Sequence, residues 1–424
     1  MSNYDAEPET DSKSSKASSA QPPETPEQAK RRKKFEADKA RRQALNKRIR
    51  ENPGEALKSE FSASFLALLD QGKLSVAVST YQAGQVVLLR ADNGKLNTHF
   101  CSFNRPMGIA LKENRLVVGT NNEVYEFRNT PAVAPKVEPL NRHDACFIPR
   151  SIHYTGNIDI HELDFAGDEL WIVNTRFSCL CTLDLDHSFV PRWRPPWISG
   201  YAVEDRCHLN GLCVVDNKPR YVTALGQADT AGGWRKNKNA GGILYDLQRE
   251  KLLVEGLSMP HSPRWYRNKV WFLESGYGAL SWFDPNTGQT ERLAQMPGFT
   301  RGLDFIDRYA LVGLSQVRET NVFEGIPITE DGSERRSGVW IIDLETGESV
   351  GLLRFSDAVE EIFAVKILPG ITFPILLETG HPLIGSSYVL PDEALKDVQM
   401  PKPAAADGDQ SSSSSQADAA NAVP

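Results

Sequence analysis

The stretch that decides the fold is HSPRWYRNKVWFLESGYGALSWFDPNTGQTERL, residues 261–293. It contains short apolar segments separated by turn residues such as Pro285-Asn-Thr-Gly288. Runs of this length with turn signals between them are typical of β-strands, and four antiparallel strands make one blade of a β-propeller. The stretch therefore predicts a blade whose first strand begins at His261.

The same unit recurs along the chain. Segments that begin with a histidine lie about 50 residues apart, and each has a large apolar residue four places on. Two further segments begin with arginine and one with glutamate. We call these first residues the anchors: Arg105, His161, His208, His261, Arg301 and Glu361. Six anchored repeats predict an all-β protein, a six-bladed β-propeller.

The two ends of the chain are predicted to share one blade. Strand-like runs between residues 74 and 100 follow a helical-looking segment, Ser62 to Leu69, but no anchored strand precedes them. The run after Glu361 supplies the missing strand, which removes the sheet edges that an open ring would expose. We expect the propeller to span residues 56–392.

The composition fits a soluble globular protein with polar tails. Hydrophobic residues make up 40% of the chain and charged residues 24%. Because there is no apolar run of 18 or more and residues 1–25 lack the apolar stretch of a secretory signal, we expect no membrane span and a cytoplasmic location. Residues 1–55 are predicted to form a disordered or helical basic arm, and residues 393–424 a disordered tail.

The N-terminal arm is the basic part of an acidic protein. Residues 27–50 carry eleven Lys or Arg against three acids. Such an arm can hold nucleic acid, as in a nucleic-acid-associated scaffold, or it can be a solvated lead-in to the propeller. Because the rest of the chain shows no nucleic-acid motif, we do not expect nucleic acid as a partner.

Three of the anchors are histidines, and their shared register predicts a metal site. Equivalent places in the repeats of a closed ring are neighbours in space, so His161, His208 and His261 are predicted to converge near the axis. A catalytic zinc takes three protein ligands and leaves one position open. Zinc is the expected ion, with iron or copper as alternatives, since imidazole suits several metals. A hydrogen-bonded structural role is the competing interpretation at each position.

The arginine anchors flank the histidines in the ring. Arg105 and Arg301 can clamp a carboxylate or phosphate through paired N–H donors, so we predict that they bind the substrate. Glu361 is expected to lie opposite the histidines, as a proton acceptor. The competing interpretation is that the arginines form structural ion pairs between blades.

Long interruptions between strands are the remaining places where functional groups are expected. They span residues 129–159, 227–242 and 315–337, and we predict that the first forms a lid over the anchors. Their candidate residues are Asp144 and Tyr154 as proton handlers, and His143, His153 and Trp234 as substrate contacts.

Several motifs resemble those of one uncharacterised bacterial family, a conserved hypothetical domain of unknown function. They are Thr80-Tyr-Gln-Ala-Gly84, Phe103-Asn-Arg-Pro-Met-Gly108, His143-Asp-Ala-Cys-Phe-Ile-Pro-Arg150, His161-Glu-Leu-Asp-Phe165, Cys207-His-Leu-Asn-Gly211, Pro260-His-Ser-Pro-Arg-Trp265, Gly298-Phe-Thr-Arg-Gly-Leu-Asp-Phe305 and Leu368-Pro-Gly370. The resemblance covers about residues 61 to 390. It implies a propeller fold and brings no established activity.

A looser resemblance concerns the arrangement of the anchors. The chain is similar in this respect to NHL-type propellers, among them the peptidyl-hydroxyglycine amidating lyases, where histidines at blade starts hold a zinc and arginines bind the substrate carboxylate. The resemblance implies these roles for the three histidine anchors and for Arg105 and Arg301. No tyrosine is assigned by it as the base of those enzymes, although Tyr154 and Tyr277 are available.

Together these features predict a metal-dependent lyase or hydrolase that acts on a small anionic or peptide-like substrate at the propeller axis. The alternative is a non-catalytic propeller that binds a peptide or protein partner on its top face.

Overall fold

The computed structural model describes residues 26–52, 57–316, 325–330, 334–356 and 358–399. The first eight strands are β1 (Ser59–Phe61), β2 (Leu74–Ser79), β3 (Gln85–Asp92), β4 (Lys95–Ser102), β5 (Ile109–Lys112), β6 (Arg115–Gly119), β7 (Glu123–Asn129) and β8 (Ala145–Tyr154). The next eight are β9 (Ile160–Ala166), β10 (Glu169–Asn174), β11 (Cys179–Thr182), β12 (Val190–Trp193), β13 (Leu209–Val215), β14 (Lys218–Ala224), β15 (Gly242–Asp246) and β16 (Lys251–Leu257). The last ten are β17 (Pro260–Tyr266), β18 (Lys269–Glu274), β19 (Ala279–Phe283), β20 (Thr290–Gln295), β21 (Phe299–Ile306), β22 (Tyr309–Ser315), β23 (Gly338–Asp343), β24 (Ser349–Phe355), β25 (Ala364–Pro369) and β26 (Pro374–Leu376).

These strands form six antiparallel sheets, the blades of a six-bladed β-propeller. From the innermost strand outward, blade 1 is β25-β2-β3-β4, blade 2 is β5-β6-β7-β8, blade 3 is β9-β10-β11-β12, blade 4 is β13-β14-β15-β16, blade 5 is β17-β18-β19-β20 and blade 6 is β21-β22-β23-β24. Strand β1 extends the outer edge of blade 6, and β26 adds to blade 2 by parallel pairing with β8. The predicted fold class is confirmed.

The innermost strands contact one another in a closed circle. Strand β25 contacts β5, and the contacts continue through β9, β13, β17 and β21 back to β25. The chain closes this circle within blade 1, where β25 pairs with β2 in an antiparallel register that sets Val76 opposite Ile367. The prediction that both chain ends share one blade is therefore confirmed.

The middle strands are apolar on both faces because each blade is covered on both sides by its neighbours. Every residue of β2, β19 and β23 is buried. The outer strands are more polar, and β20 is largely exposed. This is why the sequence shows continuous apolar runs rather than strict alternation.

The helices lie outside the ring. Helix α1 spans Pro26–Glu51 and falls within the predicted basic arm, whereas α2 (Ala63–Gln71) is the helix expected at Ser62 to Leu69 and α3 is Asp392–Leu395. The 3-10 helices are Ala134–Lys136, Gly233–Asn237, Pro327–Thr329 and Pro382–Ser386. None of the helices in the described ranges has the length and apolar composition that a membrane span requires.

Two helices pack on the junction between blades 6 and 1. Ser62 caps α2 by accepting a hydrogen bond from the Phe65 backbone N–H at 3.2 Å, and Phe65 is fully buried in the apolar cluster at this junction. Ile49, near the end of α1, belongs to the same cluster. The predicted disordered stretches at residues 1–25 and 400–424 lie outside the described residues.

Hydroxyl groups at the ends of second strands join consecutive blades. Thr175 donates to the Leu209 carbonyl at 2.6 Å, Ser275 to the Thr300 carbonyl at 2.6 Å, and Ser315 to the Ile362 carbonyl at 3.0 Å. In each case the acceptor belongs to the start of the next blade's innermost strand or lies just before it. These bonds fix the height at which neighbouring inner strands begin, and therefore the height of the anchors.

Candidate functional site

The histidine anchors begin the inner strands of blades 3, 4 and 5 on one face of the ring. The imidazoles of His161 and His208 contact each other edge to face, with ring centroids 4.6 Å apart. His261 lies close to both, since their charges and that of Arg301 help lower its pKa. We call this group of anchors and the residues that contact it the axial site.

Hydrogen bonds fix the tautomer of His161. Its Nδ1 atom lies 2.9 Å from Thr175 Oγ1 and 3.2 Å from the Asp159 carbonyl oxygen. The carbonyl can only accept, and Thr175 gives its proton to Leu209, so Nδ1 of the neutral ring is the donor. The free lone pair of His161 is therefore on Nε2.

His261, at the start of blade 5, is held in the same way as His161. Its Nδ1 atom lies 2.9 Å from the Met259 carbonyl oxygen and 2.8 Å from Ser275 Oγ, which gives its own proton to the Thr300 carbonyl. The Nε2 lone pair of His261 accepts a hydrogen bond from Arg301 Nη2 at 3.2 Å. Both histidines thus donate through Nδ1 and accept through Nε2.

His208 is held by an acid instead. Its Nδ1 atom lies 2.8 Å from Asp205 Oδ1. The other carboxylate oxygen accepts hydrogen bonds from Trp234 Nε1 at 2.9 Å and from Arg235 at 3.1 Å. Although burial alone would raise it, the pKa of Asp205 is lowered by His208, Trp234 and Arg235. The carboxylate therefore stays ionised and fixes both His208 and Trp234.

Burial keeps two of the imidazoles neutral. Burial is the largest cause that lowers the pKa of His161 to about 4, and the charges of His208 and Arg301 add to it. Burial and the charge of Arg301 hold the pKa of His261 well below its usual range. Both rings are accordingly uncharged at neutral pH, so each has one nitrogen that can accept a hydrogen bond.

The two arginine anchors differ in their surroundings. The Arg301 guanidinium stacks on Phe363 with 4.2 Å between its central carbon and the ring centroid, and its Nε atom is buried with no hydrogen-bond partner among the described residues. Arg105 lies over Tyr81 at 5.6 Å, and its Nη1 atom is 3.5 Å from Asn121 Oδ1. Arg301 therefore has an unused donor within the axial site.

In blade 1 the residue that reaches the other anchors is Phe363. Its ring centroid lies 5.3 Å from that of His161. Burial lowers the pKa of Arg301 and raises that of Tyr81; the charge of Glu361, two residues before Phe363, opposes the first effect and adds to the second. The structure therefore keeps Glu361 near the site, beside an aromatic residue that the sequence did not single out.

Besides Phe363, three residues of the axial site were missed from sequence: Tyr81, Asp159 and Asp205. Tyr81 packs on Phe363 with ring centroids 5.7 Å apart, and burial followed by the charge of Asp159 raises its pKa. Asp159 lies two residues before His161, and Asp205 three residues before His208. Tyr81 stands in the motif Thr80-Tyr-Gln-Ala-Gly84, which was the available signal, but its position after a buried strand gave no direction for the side chain.

Left-handed backbone is frequent around the site. Residues with φ near +50° there are Arg105 (53°), Asp159 (58°), Asp205 (48°), His208 (51°) and Ser262 (51°). This conformation is uncommon for residues other than glycine and tends to cluster at functional sites.

Four predicted site residues lie elsewhere, at the outer edge of blade 2. The Asp144 carboxylate accepts hydrogen bonds from the backbone and hydroxyl of Thr372 and from the Phe373 N–H, and His143 contacts the Phe373 carbonyl at 3.4 Å. His153 Nε2 lies 3.0 Å from the Ser188 carbonyl oxygen, and Tyr154 is 69% exposed at the end of β8. The structure therefore does not bring Asp144, Tyr154, His143 and His153 together with the anchors, because they lie on or next to β8, which is separated from the axis by the other three strands of blade 2.

The predicted lid is also corrected, because residues 129–159 include outer strand β8. The loop that contacts the anchors is residues 225–241, which we call the Trp234 loop. Trp234 is 3% exposed and its ring lies 4.5 Å from that of His208. The Trp234 loop meets residues 325–330 of blade 6, where Ile326 and Ile328 share an apolar cluster with Trp234. Trp234 is thus in the site, as predicted.

A second layer of charged side chains lies further along the channel. Glu162 and Arg264 form a buried ion pair at 2.9 Å, and Lys366 lies 3.6 Å from Asp304. Arg264 also donates to the Leu303 carbonyl at 3.0 Å. These groups satisfy one another through ion pairs and hydrogen bonds.

The three histidines meet some of the requirements of a metal site but not all of them. His161 and His208 are adjacent, and all three histidines have Nδ1 held by an acceptor, the arrangement that orients imidazole ligands of metals. However, across the described ranges no three histidine, cysteine or acidic side chains lie close enough together to hold one ion. The third imidazole, His261, uses its Nε2 lone pair for Arg301.

Comparisons with known proteins identify the family of the chain. The model of a family described as "Domain of unknown function (DUF4915)" matches residues 63–377. A solved structure titled "Crystal structure of Nidogen/Laminin Complex" is similar, with 9% sequence identity and a TM-score of 0.42, and the match covers 70% of this chain and 99% of that one. The comparison with curated proteins finds no match.

Proposed function

Because the chain belongs to the family described as Domain of unknown function (DUF4915), whose description states no activity, we propose its function from the axial site. The proposal is a metal-dependent lyase or hydrolase that acts on a small anionic or peptide-like substrate. The observation that carries it is the buried, unused Nε donor of Arg301 beside the neutral imidazoles of His161 and His261, the second of which contacts Arg301 Nη2 through Nε2.

An anionic substrate follows from the arginines. A buried guanidinium donor without an acceptor costs free energy, and an oxyanion of the substrate would satisfy it. Arg105, which lies over the Tyr81 ring at 5.6 Å, adds a second cationic group of the same kind. A planar carboxylate or a phosphate suits both arginines, since their N–H groups are arranged as a fork.

The metal would be held by Nε2 of His161, His208 and His261. Support comes from the neutral state of His161 and His261 and from the fixed Nδ1 hydrogen bonds, because metal ligands must be unprotonated and correctly oriented. A bound divalent ion, with zinc as the first candidate and iron or copper as alternatives, supplies a Lewis acid that polarises a substrate oxygen.

Proton transfer would fall to groups that lie near Arg301. Glu361 is the acidic candidate, and Tyr81, a phenol that is protonated at neutral pH, is a hydrogen-bond donor to the substrate. Trp234 covers His208 and limits the access of water to the imidazoles.

Metal content is the decisive measurement. Purified wild type, dialysed against zinc with acetate and then freed of excess metal, should retain about one ion per chain, and His208→Ala should lose it. His187→Ala is the matched control, because His187 is an exposed histidine that also contacts an aspartate, at 2.8 Å. A metal-free wild type under these conditions contradicts the enzyme and favours the non-catalytic propeller that binds a peptide or protein on this face.

A further inference from the structure

Two side chains of opposite charge, Arg301 and Asp159, lie in the axial site without forming an ion pair. Both are close to Tyr81: burial is the largest cause that raises the pKa of this phenol, the charge of Asp159 adds to it, and that of Arg301 opposes it. Among the described residues, the Asp159 carboxylate lies 3.7 Å from His161 Nδ1, whereas Arg301 donates to His261, and no ion pair joins the acid to the guanidinium. The site therefore holds a positive and a negative group side by side, each turned to a different neighbour.

Neither group meets an opposite charge in the contacts that the structure describes. Arg301 Nε is buried with no hydrogen-bond partner, and Nη2 contacts a neutral imidazole. The neighbour of Asp159 is neutral as well, because burial lowers the pKa of His161 to about 4. Asp159 also has a φ of 58°, a conformation that is uncommon for residues other than glycine and that clusters at functional sites. A partly buried charge without a counter-charge costs free energy, so a ligand that supplies both counter-charges would be stabilised here.

The surface between the two charges consists of uncharged rings. Arg301 stacks on Phe363 at 4.2 Å, and the Phe363 ring centroid lies 5.3 Å from that of His161, the neighbour of Asp159. Phe363 and His161 are buried, whereas Arg301 and Asp159 are partly exposed. A ligand that enters from solvent therefore meets the two charges first.

We propose that the axial site binds an α-amino acid in its zwitterionic form, with the carboxylate on Arg301 and the ammonium group on Asp159. Both contacts are hydrogen bonds between opposite charges, the strong kind. A simple anion would satisfy Arg301 and leave Asp159 without a counter-charge, whereas a zwitterion satisfies both and adds no net charge. This inference rests on the small anionic or peptide-like substrate of the proposed function, whose chemical class it names, and it does not depend on a bound metal.

The test measures the binding of the twenty standard L-amino acids by isothermal titration calorimetry at neutral pH, with EDTA present so that no metal takes part. Asp159→Asn removes the negative charge at a φ that asparagine tolerates, and Arg301→Met removes the guanidinium. Each substitution should weaken the tightest-binding amino acid roughly 10–100-fold, because each removes a hydrogen bond between charged groups. Thermal unfolding of each variant checks its folding.

Two matched controls lie outside the site. Asp307→Asn changes an exposed aspartate with a φ of 48° at the turn between β21 and β22. Arg267→Met removes a guanidinium that lies over the Tyr266 ring at 5.7 Å. Both variants should bind the amino acid as wild type does.

The deaminated analogue of the same amino acid, a carboxylic acid without the ammonium group, assigns the two ends of the ligand. It should bind wild type at least about tenfold more weakly than the amino acid does. Arg301→Met should weaken the analogue further, whereas Asp159→Asn should bind it at least as well as wild type.

The outcomes separate this inference from the proposed function. No binding by any of the twenty amino acids, or binding that Asp159→Asn and Arg301→Met leave unchanged, overturns the inference. An analogue that binds wild type as tightly as the amino acid also overturns it, and leaves the anionic substrate of the proposed function in place. A wild type that retains no zinc in the metal measurement but binds an amino acid overturns the metal-dependent enzyme and supports the inference.

Discussion

Replacing Asp205 with asparagine should loosen the Trp234 loop. Asp205 has a φ of 48°, which asparagine tolerates well, so the change is confined to the side chain. The carboxylate accepts hydrogen bonds from His208 at 2.8 Å, Trp234 at 2.9 Å and Arg235 at 3.1 Å. An amide has a single acceptor oxygen and turns an NH₂ group toward the remaining donors, so at least one of these bonds is lost. A hydrogen bond to a charged group contributes about 1.5–3 kcal/mol, which corresponds to roughly tenfold to hundredfold in the opening equilibrium of the loop.

Hydrogen exchange followed by mass spectrometry measures this opening directly. The amides of residues 225–241 should exchange at least about tenfold faster in Asp205→Asn than in wild type, while those of blade 1 stay unchanged. Zinc affinity should also fall, by roughly 10–100-fold, because His208 loses its orienting acceptor. Asp184→Asn is the control, since Asp184 holds exposed His187 with the same 2.8 Å contact but lies far along the chain from the loop. Loop exchange in Asp205→Asn that matches that of the Asp184→Asn control would refute the reasoning.

The remaining predictions concern stability. Glu162→Met removes the carboxylate that lies 2.9 Å from the buried Arg264 guanidinium, and it should lower the free energy of unfolding in urea by about 3–5 kcal/mol. Adding Arg264→Met should restore most of the lost stability. A further loss of similar size in the double variant would contradict the ion-pair argument. Burial lowers the pKa of His99 from 6.5 to about 4. Between pH 6.5 and pH 4, His99 is therefore protonated in the unfolded chain but neutral in the folded protein. The free energy of unfolding should therefore fall, by at most about 3 kcal/mol, as the pH is lowered from 6.5 to 4. The urea midpoints at pH 7 and pH 4.5 should differ less in His99→Leu than in wild type. An equal difference in both proteins would exclude His99 as the cause. Gly302→Ala places a Cβ atom 2.7 Å from the Val365 nitrogen at a φ of +81°, so it should lower the free energy of unfolding by about 1–3 kcal/mol. A variant as stable as wild type would show that the backbone between β21 and β25 moves apart without a loss of stability.

The strands and the closure of the ring could be predicted because they depend on apolar area alone. Strands buried between two blades give apolar runs, and the missing first strand of blade 1 pointed to the run near Glu361. The position of the blade 1 anchor could not be fixed in the same way. Both Glu361 and Phe363 have an apolar residue four places on, Val365 and Ile367, so the pattern fits either register. Only the pairing of β25 with β2 resolves it.

The proton handlers were misplaced for a different reason. Residues 145–154 read as part of a long connection because Pro149, Arg150 and His153 interrupt the apolar pattern, yet they form the outer strand of blade 2. Outer strands have one exposed edge and tolerate polar residues. A polar stretch between two anchors therefore indicates either a loop or an outer strand, and sequence alone does not separate them.

The partners of the histidines follow a spacing that strand pairing explains. Each inner strand pairs with the next strand in an antiparallel hairpin, which sets Ile160 opposite Asn174 and Pro260 opposite Glu274, so the residue just after the second strand lies diagonally across from the histidine. Thr175 and Ser275 stand 14 residues after His161 and His261, and both contact the respective Nδ1 atom. In blade 4 the hairpin is longer, with Leu209 opposite Ala224, so the residue just after the second strand is Leu225, which has no hydroxyl group, and Asp205 takes the role instead. A histidine at a strand start with a hydroxyl residue 14 places on is therefore a local signal for an imidazole whose Nδ1 is fixed by a hydrogen bond. His208 lacks this hydroxyl residue, and blade 4 instead holds its imidazole with an acid, Asp205, and the Trp234 loop.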